Sequence, residues 1–185
     1  MKEVDGSDEL LMRWVAGGER AALSLLLRRY ADPLLTFLRR MGVDHQRSED
    51  LFQETFLAVW AARARYEFPR PFRSWLFGIA LNKCRADLRR PSWRAVPQPA
   101  PTEDSVVSQE PSPVDAAVAT ETATLVQGAV LRLPPRQCEV VVLRVWSGLS
   151  YAEIAAVLGC GEGTVRSNMF HGLATMRKYL EPRLR

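Results

Sequence analysis

Hydrophobic residues recur every three or four positions along much of the chain, which is the spacing of one buried face of an α-helix. The clearest run ends near Gly42 and consists of Leu23, Leu26, Leu27, Tyr30, Leu34, Leu35 and Leu38. Pro33 lies inside this run, and because proline lacks a backbone N–H and clashes with the preceding turn, we expect a kink or a break there. A shorter helix is predicted before it, capped by Ser7 and ended by Gly17 and Gly18.

Two more helices are predicted before residue 90. Ser48 is placed to cap the first, with Glu49 and Asp50 in its positive first turn. Its apolar face is formed by Leu51, Phe52, Thr55, Phe56, Val59 and Trp60. Pro71 suits the first turn of the second helix, which we expect to end near Leu88. The buried stripe of that helix is Phe72, Trp75, Leu76, Ile79, Ala80, Lys83 and Cys84.

Residues 91–120 interrupt the helical pattern. They hold six of the 12 prolines and four acidic residues against the single Arg94, with few large apolar side chains. Such a segment buries too little apolar surface to offset its ordering entropy, so we predict an extended or disordered linker. The flanking stretches are basic, with net charges of +4 over residues 1–90 and +3 over 121–185. The chain therefore divides into an N-terminal module and a C-terminal module, both helical, on an acidic tether.

The C-terminal module carries a helix-turn-helix pattern. Val140–Leu143 alone would fit a strand, but the absence of flanking hairpin turns favours a helix. Ser150 and Glu153 form a capping box that begins a short helix at Tyr151–Leu158. Ala155 allows close helix contact, Gly159 supplies a left-handed turn residue, and Val165 opens a second helix, which is the helix-turn-helix spacing.

The second helix of this pattern has two distinct faces. Val165, Met169, Leu173, Met176 and Leu180 should pack on the core, whereas Ser167, His171, Ala174 and Lys178 point away, with Arg166 and Phe170 on one shoulder. A protruding face with small, polar and basic residues suits a helix laid in the DNA major groove. An ordinary helical hairpin with a solvated face would show similar spacing, but the capping box, the start Thr164–Ser167 and the net charge favour DNA binding.

A basic and aromatic stretch ends the N-terminal module. Between residues 63 and 94 the local net charge is +7, and the aromatic residues interleaved with these charges or flanking them are Trp60, Tyr66, Phe68, Phe72, Trp75, Phe77 and Trp93. Aromatic rings stack on unpaired bases while arginines hold phosphates, so the combination fits a surface for single-stranded nucleic acid. We assign Trp60, Phe72 and Trp75 to the core; Tyr66, Phe68 and Phe77 fit core and base-stacking roles equally well.

Composition excludes several classes of protein. Hydrophobic residues make up 47% and charged residues 25%, as in chains that fold on a packed core. Three widely spaced cysteines and two histidines argue against a disulfide framework and a zinc site, so we predict no metal and no cofactor. No signal pattern and no run of about 18 apolar residues is present, so we expect a soluble cytoplasmic protein without membrane insertion.

With both modules described, the chain resembles the extracytoplasmic-function group of bacterial sigma factors, the small two-domain members of the sigma-70 family. Ser48–Trp60 resembles the helix that binds core RNA polymerase, and Phe72–Arg90 resembles the helix that recognises and melts the promoter −10 element. The segments Leu133–Gln137, Gly148–Ala155 and Gly163–Ser167 resemble the −35-reading domain. The resemblance implies an all-α fold with a region 2-like four-helix domain at 1–94, a flexible linker at 95–120 and a region 4-like helix-turn-helix domain at 121–185.

The resemblance also implies roles for individual residues. The polymerase-binding residues would be Asp50, Gln53 and Glu54, facing the clamp helices of the largest subunit. A pocket for a flipped base would form at loop 62–70, and the −10-binding residues would be Tyr66, Phe68, Arg70, Asn82, Lys83, Arg85, Arg89 and Arg90. The −35-binding residues would be Arg166, Ser167, Phe170, His171 and Lys178. Implied partners are promoter DNA, the polymerase clamp, the flap of the second-largest subunit and an inhibitory anti-sigma factor.

The chain departs from the family pattern at three positions of the second helix and in the turn Cys160–Glu162, which lacks the usual proline. Asn168 and His171 stand where relatives usually carry arginine, and Gly172 stands where they carry alanine. These departures bear on how the chain contacts the −35 element.

Two other functions remain open at this point. A stand-alone helix-turn-helix regulator would bind a symmetric duplex site tightly without polymerase. An enzyme acting on nucleic acid would need a carboxylate or His/Cys constellation. The pairs Glu49/Asp50 and Glu103/Asp104 fit cap-turn and linker charges better, so we predict that the chain is not an enzyme.

Overall fold

The computed structural model describes residues 6–89 and 113–183, with the side chains of 113–120 left out. These residues form eight α-helices, and no strand occurs among them. The helices are α1 (Asp8–Ala16), α2 (Arg20–Arg40), α3 (His45–Ala62), α4 (Phe72–Leu88), α5 (Pro113–Val130), α6 (Pro135–Val145), α7 (Tyr151–Leu158) and α8 (Glu162–Leu180), with a 3₁₀ turn at Arg63–Arg65. The predicted all-helical class is confirmed, including a helix over Val140–Leu143.

Helices α1–α4 build the N-terminal module around an aromatic core. The rings of Tyr30 and Phe72 meet edge to face at 5.4 Å, and those of Phe37 and Phe77 meet at 5.2 Å. All four side chains are buried, so Phe77 belongs to the core. Ser7 caps α1 as predicted, its hydroxyl accepting from the backbone N–H of Leu10.

The structure contradicts two predictions in this module, a break of α2 at Pro33 and a cap of α3 by Ser48. Helix α2 runs unbroken through Pro33, because side chains on both sides of the proline, such as Tyr30 and Leu34, are buried on one face and hold the helix together. Helix α3 begins at His45 rather than at Ser48, because Asp44 lies extended before it and accepts from the Arg47 N–H at 2.9 Å. Ser48 is instead a buried residue of the first turn.

Helices α5–α8 carry the helix-turn-helix. The capping box is present, with the Ser150 N–H donating to Glu153 at 2.8 Å and the Glu153 N–H donating to the Ser150 hydroxyl at 3.2 Å. Gly159 ends α7 at φ +64°, the left-handed conformation that glycine adopts without strain. The predicted turn between α7 and α8 is therefore confirmed.

The buried face of α8 differs from the prediction at one position. Leu173 is 47% exposed, whereas Gly172 is buried beside α6. A Cβ added at Gly172 would lie 2.9 Å from a methyl carbon of Val141. The glycine therefore lets α8 approach α6 more closely than alanine would, which explains one departure from the family pattern.

Gly172→Ala is expected to destabilise the chain by about 1 kcal/mol. Alanine gains about 1 kcal/mol of helix propensity, but the added methyl group overlaps the stiff, buried Val141, and overpacking typically costs about 1–3 kcal/mol. Gly163→Ala is the matched control, because nothing lies within 4 Å of its added Cβ and it should be neutral or stabilising. Urea unfolding measures both; equal stabilisation by the two alanines would contradict the close contact.

The two modules pack against each other. Arg40 donates to the Gln127 side-chain oxygen at 3.0 Å, and Gln127 donates to the Arg39 carbonyl at 3.0 Å. Arg85 of α4 donates to both carboxylate oxygens of Glu139 on α6, at 2.6 and 2.7 Å. We call the Arg85–Glu139 pair the clasp.

Helix α5 begins at Pro113, inside the segment predicted as linker. Proline suits the first turn of a helix, and the alanines that follow it are strong helix formers. The rest of the predicted linker, residues 95–112, lies outside the described residues.

Candidate nucleic-acid interface

Tyr66 supports the loop between α3 and α4 through contacts on its buried side. Its ring is buried and lies 5.2 Å from that of Trp75, and its hydroxyl donates to the Arg70 carbonyl. Burial raises the pKa of Tyr66 to about 12, so the hydroxyl stays neutral. Tyr66, predicted among the −10-binding residues, thus supports the loop in this conformation and leaves other side chains to face outward.

Helix α1 fixes the other side of this loop. Glu9 accepts from the backbone N–H of Phe72 at 3.2 Å, which satisfies a free donor at the start of α4. The guanidinium carbon of Arg13 lies 5.4 Å from the Phe68 ring centroid, a cation–π distance. No sequence signal near residue 68 indicated Arg13, because the two positions lie 55 residues apart.

Four of the eight predicted −10-binding residues lie at the surface: Phe68, Arg70, Asn82 and Arg89. Asn82 follows Trp75 and Ile79 at helical spacing, and Trp75 touches the loop through Tyr66. Asn82 therefore lies on the same face of α4 as Trp75, which packs against Tyr66 of the loop. We call Phe68, Arg70, Asn82 and Arg89 the strand surface.

Three other predicted −10-binding residues are not exposed in this way: Lys83 and Arg85 contact carboxylates, and Arg90 is not described. Lys83 lies 3.4 Å from Glu54, and Arg85 belongs to the clasp, whose hydrogen bonds raise the pKa of Arg85. Arg90 lies outside the described residues. In this conformation Nε and one terminal nitrogen of Arg85 are already bonded to Glu139.

A network of charges orders the predicted polymerase-binding face of α3. Asp50 and Gln53 are exposed and Glu54 is partly exposed. Arg47 donates to Asp87 at 2.8 Å and to Glu54 at 3.0 Å, and lies 3.5 Å from Asp50. Burial lowers the pKa of Arg47, but the hydrogen bonds to Asp87 and Glu54 outweigh it and raise the pKa overall. Arg47 thus orients the acidic face, a role that sequence analysis missed.

Helix α8 presents all five predicted −35-binding residues to solvent: Arg166, Ser167, Phe170, His171 and Lys178. Arg166 lies 3.2 Å from Glu162 and 4.6 Å from the Tyr151 ring centroid. Both contacts lie at the surface, since the side chain of Arg166 is 61% exposed. Asn168 donates to the Thr164 carbonyl of its own helix at 2.9 Å, so its amide is already engaged.

Neither a metal cluster nor a membrane span occurs in the described parts of the chain. Residues 6–89 and 113–183 contain no group of three His, Cys, Asp or Glu side chains arranged to hold a metal ion. In the same ranges, no helix has the length and apolar character needed to cross a bilayer.

Comparison with known proteins gives concordant matches. The families described as "Sigma-70 region 2" and "Sigma-70, region 4" match residues 26–94 and 124–176. RNA polymerase sigma-H factor of Pseudomonas aeruginosa is 30% identical, with 96% of each chain covered. ECF RNA polymerase sigma factor SigM of Mycobacterium tuberculosis is 34% identical over 93% of this chain and 83% of the relative. The solved structure of CnrH with the cytosolic domain of CnrY has 27% identity and a TM-score of 0.73, covering 96% of this chain and 99% of that one.

Proposed function

The chain belongs to the sigma-70 family, in its extracytoplasmic-function group, and from this premise we propose how its surfaces act on polymerase and promoter DNA. The N-terminal module binds the clamp of core RNA polymerase through Asp50, Gln53 and Glu54 and captures the −10 element. The C-terminal module reads the −35 duplex and contacts the flap. In this proposal the chain is not an enzyme and works in the cytoplasm as a promoter-specificity subunit.

Capture of the −10 element uses the strand surface. An exposed ring at Phe68 stacks on a base that has left the duplex, while Arg70 and Arg89 attract phosphates. Asn82 offers an amide that can donate to and accept from a base edge. Unstacking a base costs a few kcal/mol, and these contacts offset that loss, so binding favours the opened strands.

Reading of the −35 element uses α8. Its exposed N-terminal half lies next to a capped first helix, which is the arrangement that places side chains at base edges in the major groove. The observation that carries the proposal is the presence on one chain of both surfaces, an aromatic basic loop and an outward helix-turn-helix. A lone duplex-binding regulator has no use for the first surface.

We also propose an inhibitory partner of the anti-sigma class. The relative CnrH was solved in complex with the cytosolic domain of CnrY, which supports a similar protein partner for this chain. Such a partner would bind the chain in its closed form, where the two modules already touch.

Run-off transcription tests the proposal. Core polymerase with the purified chain should start transcription at a defined subset of a promoter library, and core polymerase alone should not. A gel-shift with and without core polymerase separates the regulator alternative, because we expect weak DNA binding by the free chain. Tight binding of the free chain to a symmetric site would contradict a polymerase subunit.

Arg166→Ala is expected to weaken −35 recognition by about 1–3 kcal/mol and to relax base preference at one position. Footprints of the polymerase complex over promoter variants measure both effects. Arg177→Ala is the matched control, because Arg177 is an exposed arginine near the far end of α8, paired with Glu181 at 2.7 Å. Footprints that are unchanged by Arg166→Ala would remove this arginine from the −35 contact.

A further inference from the structure

His171 lies on the outward face of α8, in the half of the helix that the proposed function places at the −35 duplex. Its side chain is exposed, and its ring meets the Phe170 ring edge to face, with the centroids 5.4 Å apart and an angle of 76° between the planes. Phe170 is itself 71% exposed. Within residues 6–89 and 113–183, His171 forms no hydrogen bond and no ion pair, so its ring nitrogens are open to a ligand.

The proton of His171 decides the net charge of this half of the helix. Residues 162–171 contain one other cation, Arg166, and one anion, Glu162, and the two lie 3.2 Å apart. The formal net charge of the segment is therefore zero when the imidazole is neutral and +1 when it is protonated. Because duplex DNA is a polyanion, it binds the protonated form of this segment more tightly than the neutral form.

No carboxylate on the neighbouring helices competes with DNA for the protonated imidazole. Helices α5, α6 and α7 pack on the side of α8 that carries Val165, Met169 and Gly172, whereas His171 is exposed. On its own face, Lys178 lies about 10 Å further along the helix axis, a separation at which salt largely screens exposed charges. The charged and titratable side chains described on α5, α6 and α7 are Glu121, Arg136, Cys138, Glu139, Arg144, Tyr151 and Glu153, and His171 is bonded to none of them.

We propose that His171 makes a proton-linked contact with the −35 duplex, so that the chain binds this element more tightly as the pH falls. Histidine is the side chain whose charge changes between pH 5 and 8. When it is protonated, both ring nitrogens donate, and the acceptor on DNA is a phosphate oxygen or the O6 and N7 edge of guanine. This inference rests on the proposed function, because it needs α8 to lie at the −35 element.

The direction of the pH dependence follows from proton uptake on binding. The proton comes from solvent, and the nearby DNA acceptor holds it to a higher pH than solvent alone does. The contact is therefore fully present while the free imidazole is protonated, and it is lost as the pH rises past the value at which the bound imidazole releases its proton. One hydrogen bond to a charged group changes affinity about 10-fold or more.

The test uses the full chain assembled with core polymerase on two promoters, one carrying the −35 duplex and one cut short before it. The half-life of each complex is measured between pH 6 and pH 8 after a competitor is added. The ratio of the two half-lives isolates the −35 contribution, because the polymerase and −10 contacts are common to both promoters. This ratio should fall about 10-fold from pH 6 to pH 8.

Three variants separate the charge of His171 from other effects of pH. His171→Arg carries a permanent charge, so the ratio should stay high at every pH. His171→Gln carries none, so the ratio should stay low at every pH. His45→Gln is the matched control, because His45 is the other histidine and lies in α3, 3.7 Å from Glu49, so this variant should keep the full pH dependence. Thermal unfolding checks that each variant is folded.

Modified promoters identify the acceptor. A methylphosphonate removes the charge of one phosphate, and 7-deazaguanine removes one N7. Loss of the pH dependence at one methylphosphonate would assign a phosphate, and loss at one 7-deazaguanine would assign a guanine edge. A pH dependence that survives every such replacement across the −35 element would overturn the contact.

Three further outcomes overturn the inference. The first is a ratio that does not change between pH 6 and pH 8, and the second is an unaltered pH dependence in a folded His171→Gln. The third is loss of affinity for core polymerase without DNA in His171→Gln, which would assign the residue to a protein contact. Failure of the unaltered chain to form any complex, or equal half-lives on the two promoters at every pH, would instead defeat the proposed function itself.

Discussion

Arg85→Ala is expected to separate the two modules and to expose the Cys84 and Cys138 thiols. Arg85 and Glu139 keep only 22% and 6% of their side chains exposed, so the substitution leaves a nearly buried carboxylate without its main partner. Removing one partner of a buried pair costs about 3–5 kcal/mol. Arg136 remains 3.3 Å from Glu139, so we expect the lower end, equivalent to about 100-fold in the closed-to-open ratio.

The reactivity of the Cys84 and Cys138 thiols measures the separation of the two modules. Burial raises the pKa of Cys84 and of Cys138 to about 12, and Cys138 is near enough to contribute to the shift at Cys84. A thiol with such a pKa has almost no reactive thiolate near pH 8, whereas an exposed thiol has a pKa of about 8.5. Cys160, the third thiol, is replaced by serine so that it does not react. In this background the reaction of the two buried thiols with an aromatic disulfide reagent should be about 100-fold faster in Arg85→Ala.

Arg136→Ala is the matched control for the clasp. Arg136 also contacts Glu139, but it is 61% exposed, so its loss should change the thiol reaction rate little. The radius of gyration from solution scattering should increase for Arg85→Ala and stay constant for Arg136→Ala. Protected thiols and an unchanged radius in Arg85→Ala would show that the clasp does not hold the modules together.

Glu139→Gln distinguishes the role of Arg85 in the clasp from a role in binding DNA. This variant weakens the clasp but keeps the arginine, so a DNA contact by Arg85 would become available to the polymerase complex. Arg85→Ala also opens the chain but lacks the arginine. Tighter promoter binding by Glu139→Gln than by Arg85→Ala would therefore assign a phosphate contact to Arg85.

Local patterns predicted local structure well. Ser150, Glu153 and Gly159 act within a few residues of one another, and their caps and turn are found where the sequence placed them. Two of the errors came where nearby residues compete for one role. Asp44 caps α3 in place of Ser48, and Gly172 takes the buried position expected of Leu173, because the close approach of α6 decides which side chain fits.

Contacts between distant segments were beyond prediction from the sequence. Arg85 and Glu139 lie 54 residues apart, on either side of a segment that looks like a tether, and no periodicity links them. The same holds for Arg13 and Phe68. Sequence analysis therefore identified the strand surface as basic and aromatic, but it could not tell Arg85, held in the clasp, from Arg89, which is exposed.

The double substitution Phe68→Ala, Asn82→Ala is expected to abolish open-complex formation and to leave polymerase binding intact. A stacked base and a base-edge contact are each worth about 1–3 kcal/mol, so their joint loss should reduce opening at least about 30-fold. Permanganate reactivity of unpaired thymines measures opening, and co-purification with core polymerase measures assembly. Both residues are exposed and neither packs in the core, so the variant should fold.

The matched comparison is Asp50→Ala, Gln53→Ala on α3. That variant should lose polymerase binding, and its open complexes should disappear for that reason alone. On a mismatched bubble the Phe68/Asn82 variant should recover the part of its deficit that comes from melting, because the strands are already apart, and keep the part that comes from lost base contacts. If the Phe68/Asn82 variant instead lost affinity for core polymerase, the strand surface would be a polymerase contact, and the division of labour between α3 and α4 would be wrong.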